Sequence, residues 1–294
     1  MFLKKSDYVS FFFSESCKWS LVERYGPCPP ARDGHSAIVV GSVMYVFGGF
    51  EEESQRFGFF DDSLNLAFPL STFSRETYAF DFKTLQWSEV RTTVKSCKWS
   101  LVERYGPCPP ARDGHSAIVV GSVMYVFGGF EEESQRFSRE TYAFDFKTLQ
   151  WSEVRTTGAA PQWRDFHTAC AIGNKMYVFG GRSDQLGQFH SSRDMYCDRL
   201  KVLDLETAQW QEPNVTGDRP SGRRSHSAWT YKGRMYIFGG YLGTVNQHLG
   251  DLYEYDPATS NWKRLHPYGD APSPRRRHCT VIVNNRLFLF GGTM

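Results

Sequence analysis

The feature that most constrains this chain is a unit that recurs along it with a period of roughly 50 residues. Each unit begins with Arg-x-x-His and runs through two apolar segments to a Gly-Gly pair, after which come a variable loop, an apolar segment ending in Asp, and a Trp. The pairs are Gly48-Gly49, Gly128-Gly129, Gly180-Gly181, Gly239-Gly240 and Gly291-Gly292. Trp87, Trp151, Trp210 and Trp262 close the four complete units. Such regular repetition indicates that every unit folds into the same supersecondary structure.

Each unit predicts four short antiparallel strands. In the unit at 161–212 these are Thr168–Ile172, Lys175–Phe179, Leu200–Asp204 and a strand that carries Trp210. Val, Ile, Tyr and Phe are enriched in these segments, and Gly, Asn and Asp lie at the turns between them. Because one four-stranded sheet cannot bury both of its faces, the units must stack, with Trp and Phe side chains between them. The sequence therefore predicts an all-β propeller of four-stranded antiparallel blades.

The predicted propeller spans 16–294 and follows a non-repeat N-terminal extension at 1–15. We assign four complete blades and one partial blade, at 28–93, 109–157, 161–212, 220–264 and 274–294. The partial blade stops after its second strand, and Trp19 lies on a fourth strand near the N-terminus. The closing blade is therefore expected to lack its third strand, and the ring to be incomplete as written.

Two of the units are copies of each other. Residues 16–57 are identical to 96–137, and 74–93 are identical to 138–157. The first copy also carries Gly58–Phe73, an insert in the loop after its Gly pair. The other units share only their skeleton, so the identity indicates either a very recent duplication or an error in the assembled sequence. We interpret the insert as a translated intron.

Composition narrows the function classes. A formal net charge of +2 over 294 residues argues against a broad nucleic-acid surface. No apolar stretch approaches the ~20 residues that cross a bilayer, and the N-terminus does not read as a signal peptide, so no membrane is expected. The chain has 7 cysteines and no C-x-x-C, a usage typical of reduced intracellular thiols. We expect a protein of the cytoplasm and nucleus.

Positions that recur in every unit are expected to serve the blade. They include five histidines and the arginines three residues before them: His35, His115, His167, His226 and His278; Arg32, Arg112, Arg164, Arg223 and Arg275. One His per blade is too dispersed for a metal site. We expect the arginines to fasten a loop through carbonyls or a carboxylate, and the Gly pairs to supply positive φ and close backbone approach.

Positions that change from unit to unit are free to serve a ligand. They are the two residues before each His and the residue after each Gly pair: Asp33-Gly34, Asp113-Gly114, Asp165-Phe166, Arg224-Ser225 and Arg276-Arg277; Phe50, Phe130, Arg182, Tyr241 and Thr293. In a propeller the corresponding loops can share one face. We therefore predict that Arg182, Arg224 and Ser225 converge on one anion. Arg276 and Arg277, next in the ring, are possible extra basic contacts.

Several segments are more specific than the repeat skeleton, above all Trp163-Arg164-Asp165-Phe166-His167 and Phe189-His190-Ser191. With Arg112–Ser116, Met176–Arg182, Arg223–Ser227 and Arg275–His278, they resemble the kelch domain-containing proteins that have no BTB domain. The resemblance covers Arg112–Thr293 and identifies the predicted ring as a kelch β-propeller, of six blades in that family. The first copy, 16–57 and 74–93, shares the resemblance because it duplicates 96–157.

The resemblance implies a substrate receptor of a cullin-RING ubiquitin ligase that recognises C-terminal glycine degrons. The partners are then protein C-terminal peptides ending in Gly, and ligase components that dock on a segment after the propeller, which this sequence ends before reaching. The resemblance implies that Arg182 and Arg224 bind the peptide carboxylate, with Ser225 adjacent. It also implies a pocket wall formed by Trp163, Phe166 and Tyr241. This sequence departs from better-known relatives at Gln185–Gly187, where a second clamping Arg is expected.

Two other function classes stay open. The resemblance also implies an association with meiotic chromatin and recombination, for which Arg219, Arg223, Arg224 and Arg275–Arg277 are the candidate phosphate contacts. Some kelch propellers are copper oxidases, but that chemistry needs clustered His and Tyr ligands, and no hydrolase motif occurs either. We expect a binding module, not an enzyme, with no cofactor and no metal.

Overall fold

The computed structural model describes residues 9–13, 17–22, 25–26, 28, 32–33, 36–40, 42–47, 50–51, 77–90 and 103–294. The chain forms two compact units: the first comprises Met1–Lys98 and Pro267–Met294, and the second Trp99–His266. Within the described ranges the secondary structure is strands and a single 3₁₀ turn, Gly243–Val245. None of the described segments forms a helix long and apolar enough to cross a bilayer.

The strands are numbered in chain order. The N-terminal part of the first unit contains β1 (Val9–Phe13), β2 (Lys18–Leu21), β3 (Arg32–Asp33), β4 (Ser36–Val40), β5 (Val43–Phe47), β6 (Phe50–Glu51), β7 (Thr77–Asp81) and β8 (Gln86–Val90). The second unit contains β9 (Arg112–Asp113), β10 (Ser116–Val120), β11 (Val123–Phe127), β12 (Phe130–Glu131), β13 (Arg136–Phe137), β14 (Thr141–Asp145), β15 (Gln150–Val154), β16 (Thr157–Gly158), β17 (Asp165–Ile172), β18 (Lys175–Asp184), β19 (Asp194–Tyr196), β20 (Lys201–Asp204), β21 (Gln209–Gln211), β22 (Thr216–Gly217), β23 (Ser227–Tyr231), β24 (Arg234–Leu242), β25 (Gln247–Asp256) and β26 (Asn261–Leu265). The first unit ends with β27 (Tyr268–Gly269), β28 (Cys279–Val283) and β29 (Arg286–Phe290).

Three four-stranded antiparallel blades build the second unit. Their strand orders are β10-β11-β14-β15, β17-β18-β20-β21 and β23-β24-β25-β26. The all-β class with four-stranded antiparallel blades is thereby confirmed, and so are the strands predicted at 161–212. β18 runs past its Gly pair to Asp184 and pairs there with β19, so this blade carries an extra hairpin above the repeat skeleton.

The first unit holds two more blades in its described residues, and one of them corrects an expectation. Its β4-β5-β7-β8 blade follows the repeat pattern. In the other, the order β28-β29-β1-β2 joins both ends of the chain. The closing blade was expected to lack strand three, but Val9–Phe13 occupies that place, with Phe11 opposite both Ser20 and Phe288. A segment from the predicted extension therefore pairs both neighbouring strand edges.

Aromatic rings fill the spaces between blades of the second unit, as predicted. Phe127 of one blade lies 5.2 Å, between ring centroids, from Trp210 of the next. Phe179 is placed in the same way, 5.4 Å from Trp262. Both tryptophans are 2% exposed, and each lies in a separate buried cluster. The repeated Trp therefore packs one blade onto its neighbour.

A second link between blades was missed from the sequence. The short strand β16 leaves one blade and pairs in parallel with β21 of the next, through Thr157 opposite Gln209 and Gly158 opposite Trp210. β22 and β27 pair with β26 and β2 in the same manner. A Cβ on Gly158 would lie 2.3 Å from the Trp210 carbonyl oxygen, so this close approach requires glycine. The recurring x-Gly after each fourth strand was its sequence signal.

Some predictions fall on residues that the structure does not describe. The insert Gly58–Phe73, His35, Gly34 and the pair Gly48-Gly49 lie outside the described residues. The same is true of most of the junction between the two copies, 91–102. The assignment of blade boundaries and of the duplication at these places stays a prediction.

Candidate functional site

The recurring arginines fasten the backbone of each blade. Arg164 donates from Nη1 to the Gly180 carbonyl oxygen over 2.7 Å and from Nε to the Gln162 carbonyl oxygen. The equivalent Nη1 bonds are Arg112 to Gly128, Arg223 to Gly239 and Arg275 to Gly291. Arg223 also holds the Asp251 carboxylate through both terminal nitrogens. The predicted structural role is confirmed for these four residues.

The recurring histidines join neighbouring blades. His167 Nε2 lies 2.7 Å from the Ser116 hydroxyl of the preceding blade, and His226 Nε2 lies 2.7 Å from the Thr168 hydroxyl. The His167 ring also meets the Phe127 ring at an edge, 5.2 Å between centroids. Burial lowers the pKa of His167 from 6.5 to about 3, and the Arg164 charge adds to that effect. We call the recurring Arg, His, Gly and Trp residues that hold the blades together the frame. The neutral imidazole of His167 belongs to it, which is the structural role that the sequence predicted.

The Gly pairs have the predicted backbone. Gly180 and Gly181 have φ of 72° and 97°, and the other described pairs match them. A Cβ on Gly180 would lie 2.5 Å from His226 Cε1 and 2.6 Å from the Arg223 carbonyl oxygen. The pair therefore lets the next blade's Arg and His approach the strand.

The variable positions are cross-strand partners. In each described blade, the residue two before the His lies opposite the residue after the Gly pair: Asp33 and Phe50, Asp113 and Phe130, Asp165 and Arg182, Arg224 and Tyr241, Arg276 and Thr293. We call the six members in the second unit the rim: Asp113, Phe130, Asp165, Arg182, Arg224 and Tyr241. This register brings the two variable positions of each blade together, while the prediction that neighbouring blades present them on one face stays a prediction.

The residues that directly follow Asp113, Asp165 and Arg224 of the rim are linked across the three blades by backbone hydrogen bonds. The residue directly before each His has a left-handed φ: 58° at Gly114, 51° at Phe166 and 55° at Ser225. The Phe166 N–H donates to the Gly114 carbonyl oxygen over 2.7 Å, and the Ser225 N–H donates to the Phe166 carbonyl oxygen over 2.8 Å. At Phe166 and Ser225 this conformation is unusual for a non-glycine residue, and one hydrogen bond to the preceding blade stabilises it.

Arg182 is held by an internal carboxylate. Its Nε and Nη2 donate to the two oxygens of Asp165, over 3.1 and 2.5 Å. The guanidinium carbon also lies 5.4 Å from the Phe137 ring centroid and 5.7 Å from that of Phe166. Asp165 is fully buried, whereas 19% of the Arg182 side chain is exposed. Among the described residues Nη1 makes no hydrogen bond, so this cation keeps unused donors.

Arg224 has a different environment. Its guanidinium carbon lies 5.4 Å from the Tyr241 ring centroid and 6.0 Å from that of Tyr196 on the preceding blade. Within the described part of the chain it makes no ion pair and no side-chain hydrogen bond, and its Nε is buried without a partner. Arg224 is therefore a partly buried cation between two aromatic rings with its donors uncommitted.

The charges of the two arginines act on the same neighbouring groups. Burial raises the pKa of Asp165 above its ordinary value, and the charges of Arg182 and Arg224 both oppose that rise. Burial likewise raises the pKa of Tyr196, which also feels both arginines. Asp165 and Tyr196 thus feel both charges, and the convergence of Arg182 and Arg224 on one anion stays a prediction.

The structure does not bring every predicted residue to this place. Trp163 stacks on Arg139, 4.8 Å from the guanidinium carbon to the ring centroid, and no ring contact or hydrogen bond of the described residues joins it to Arg182 or Arg224. Ser225 contributes the backbone bond to Phe166 described above. Arg276 and Arg277 belong to the first unit, where Arg276 exchanges two backbone hydrogen bonds with Thr293. Their role beside Arg224 stays a prediction.

Two aromatic residues were missed. Phe137 flanks Arg182, and Tyr196 flanks Arg224. Tyr196 reaches the rim because β19 pairs with the end of β18, which sets it opposite Arg182. Phe137 follows the sharp turn at Gln135, and its N–H donates to the Gln188 carbonyl oxygen of the next blade. The alternation Asp194-Met195-Tyr196 was the only available signal for this hairpin.

Two of the arginines that were predicted to contact DNA phosphates are buried in the structure. Arg223 and Arg275 are 0% and 1% exposed, and their guanidinium groups are bonded to Gly239 and Gly291. Neither can meet a phosphate while the blade stays folded. The prediction of both residues as phosphate contacts was wrong, because adjacent arginines were treated as one surface.

Comparison with known proteins agrees with the fold and with the residues that build it. The profile of the KLHDC2/KLHL20/DRC7 Kelch-repeats domain matches residues 90–292, and that of the Kelch motif matches 31–93. The chain belongs to the kelch-repeat β-propeller family, as predicted.

Several individual proteins are similar to the chain over most of its length. The chain is 38% identical to Kelch domain-containing protein 3 of Rattus norvegicus, over 97% of this chain and 69% of that protein. Identity to Kelch domain-containing protein 2 of Bos taurus is 28%, over 90% of this chain and 64% of that protein. Host cell factor 2 of Homo sapiens is 29% identical, over 93% and 32%.

Proposed function

We propose that this kelch protein binds the C-terminal peptides of other proteins and holds the terminal carboxylate at the rim of its second unit. The observation that carries the proposal is the contrast between the two arginines of the rim. Arg182 is oriented by Asp165, and Arg224 beside it has no carboxylate partner among the described residues.

The chemistry of Arg224 suits a carboxylate. A guanidinium presents its donors as a planar fork that matches the two oxygens of a carboxylate, and a charge-assisted pair of this kind is stronger than a neutral one. The rings of Tyr196 and Tyr241 lie within about 6 Å of the cation and reduce its contact with water. An ion pair formed there is screened less than one on an open surface. Arg182 adds its Nη1 from the neighbouring blade.

The surroundings favour a peptide that ends in glycine. Phe166 and Tyr241 are the two predicted wall residues that contact the arginines, and Tyr196 takes the place that we predicted for Trp163. A residue without a side chain is the one best able to bring its carboxylate between such rings. Ser225 follows Arg224 on the loop before His226, and its hydroxyl supplies a further hydrogen-bond donor for the carboxylate.

The cellular role that we propose is that of a substrate receptor for a cullin-RING ubiquitin ligase in the cytoplasm and nucleus, with protein C-termini ending in Gly as substrates. The support is the resemblance to kelch domain-containing proteins together with the paired rim arginines. A binding role, rather than an enzymatic one, agrees with the structural use of the recurring His and Arg residues. The chromatin role is the weaker proposal, because Arg223 and Arg275 are buried.

The proposal is tested with one peptide in two forms. A fluorescent peptide that ends in Gly as the free acid should bind the protein, and the same peptide with an amidated terminus should not. Arg224→Ala should weaken the free acid by roughly 2–5 kcal/mol, because it removes a partly desolvated charge partner. Arg234→Ala is the matched control, since this arginine is 45% exposed and paired with Glu254 elsewhere on the blade.

Equal affinity for the two forms of the peptide would refute carboxylate recognition. An unchanged affinity in Arg224→Ala, with Arg234→Ala also unchanged, would remove the rim from the binding site. Arg182→Ala is the less informative variant, because it leaves the buried Asp165 carboxylate without its cation and so alters folding as well as binding.

A further inference from the structure

The rim contains a buried negative charge that a simple anion site does not need. Asp165 is fully buried, and both of its oxygens accept hydrogen bonds from Arg182. Because no part of its side chain is exposed, leaving Arg182 would strand the carboxylate in the interior without a partner. Any anion that binds between Arg182 and Arg224 therefore meets Asp165 as a fixed third charge.

The charge balance follows from this arrangement. Arg182 and Arg224 contribute two positive charges, and Asp165 cancels one of them. The other acidic residues that act on this group are Asp113, one blade away, on Asp165, and Asp194 on Arg182 and Tyr196, and neither adds positive charge. The positive charge left for a ligand is at most one.

The hydrogen-bond geometry fixes where this negative charge lies. Asp165 takes the Nε and Nη2 edge of Arg182, which is one of the two bidentate faces of a guanidinium. A ligand can still meet Arg182 through Nη1 and the second N–H of Nη2, and it can meet the uncommitted donors of Arg224. Both kinds of anion can use these donors, so the net charge decides between a carboxylate and a phosphate-type group.

We infer that Asp165 makes the rim selective for a singly charged carboxylate over a doubly charged phosphate-type anion. This inference rests on the proposed function and adds the residue that sets its ligand class. Asp165 acts through Arg182 and through its own charge, so it is a positioning and specificity-determining residue rather than a direct contact.

The test compares two peptides that differ only at the terminus. One ends in glycine, and the other carries aminomethylphosphonate in place of that glycine, measured at about pH 8, where a phosphate-type group is doubly charged. The wild-type protein should prefer the carboxylate. Asp165→Asn, which keeps the shape and an acceptor oxygen, should shift the affinity ratio towards the phosphonate by roughly tenfold, as expected for one unit charge at close range in a partly buried site.

Two controls separate charge from structural damage. The double variant Asp165→Asn/Arg182→Gln removes one charge of each sign and should return the ratio close to that of the wild type. Asp113→Asn makes the same charge change at the equivalent, exposed position, opposite Phe130 rather than an arginine, and should shift the ratio much less. Thermal melts of each variant show whether it is folded.

The outcomes distinguish the inference from the function on which it rests. A ratio in folded Asp165→Asn equal to that of the wild type overturns the inference while carboxylate binding stands. Failure of the wild type to bind the glycine peptide overturns the proposed function itself. If Asp165→Asn does not fold, Arg182→Gln decides: the inference requires its ratio to move further towards the carboxylate, and a shift towards the phosphonate contradicts it.

Discussion

Arg223 and Arg224 are neighbours in sequence but belong to different regions of the molecule. Arg223 is 0% exposed and is bonded to the Gly239 carbonyl and the Asp251 carboxylate. Arg224 lies between two tyrosine rings, and its Nε has no partner among the described residues. The first belongs to the frame that repeats in every blade, and the second to the rim that changes from blade to blade. A kelch blade thus keeps its stability and its recognition in adjacent residues.

The largest expected difference between the two regions is in stability. Arg223→Ala should lower the free energy of unfolding by roughly 3–5 kcal/mol, because it leaves Asp251 and the Gly239 carbonyl without their partner in the interior. Arg224→Ala should change stability by about 0.5 kcal/mol or less. Urea unfolding followed by circular dichroism gives both values. Equal losses in the two variants would erase the distinction between frame and rim.

A smaller effect is expected at the glycines of the frame. Gly180→Ala should cost roughly 2–4 kcal/mol, since its Cβ overlaps His226 and the Arg223 carbonyl and its φ is 72°. Gly173→Ala is the control, because its φ of 57° carries similar strain but its Cβ meets no atom within 4 Å. Thermal midpoints of the two variants should therefore separate. A Gly173→Ala variant as unstable as Gly180→Ala would show that backbone strain alone is responsible.

The smallest effect is a pH dependence that belongs to the frame. The pKa of His167 in the folded protein is about 3, below its ordinary value of 6.5, so the unfolded chain takes up this proton first as the pH falls. The contribution of His167 is fully present above pH 6.5 and declines between pH 6.5 and about 3, by up to about 1.4 kcal/mol per pH unit. In His167→Asn the urea midpoint should fall less between pH 7 and pH 5. If the urea midpoint fell equally in the variant and the wild type, His167 would take up its proton as readily in the folded protein as in the unfolded chain.

The frame was predictable because its residues recur. Five units within one chain show which Arg, His, Gly and Trp positions are fixed, and the structure gives Arg112, Arg164, Arg223 and Arg275 the same bond to a Gly carbonyl oxygen. The strand β1 was not predictable by that route, because Val9–Phe13 lacks the Asp that ends the third strand of the other units. The signal for Val9–Phe13 was its β-prone composition just before the Trp19 strand, where a blade needs its third strand.

The rim was predictable in position but not in pairing. Variation between units identified Asp165 and Arg182, and only the β17–β18 register makes them a bonded pair. The left-handed φ at Phe166 and Ser225 had no sequence signal either, since neither residue is a glycine. Trp163 was assigned to the wall by resemblance, whereas its contact is decided by Arg139 on the preceding blade.

The most direct test of carboxylate recognition at the rim is a crystal structure of the protein with a bound peptide that ends in Gly. We predict that the terminal carboxylate oxygens lie about 2.7–2.9 Å from the Arg224 guanidinium nitrogens, with Asp165 still bonded to Arg182. A peptide bound elsewhere, or a carboxylate that displaces Asp165 from Arg182 and leaves Arg224 without a partner, would contradict it.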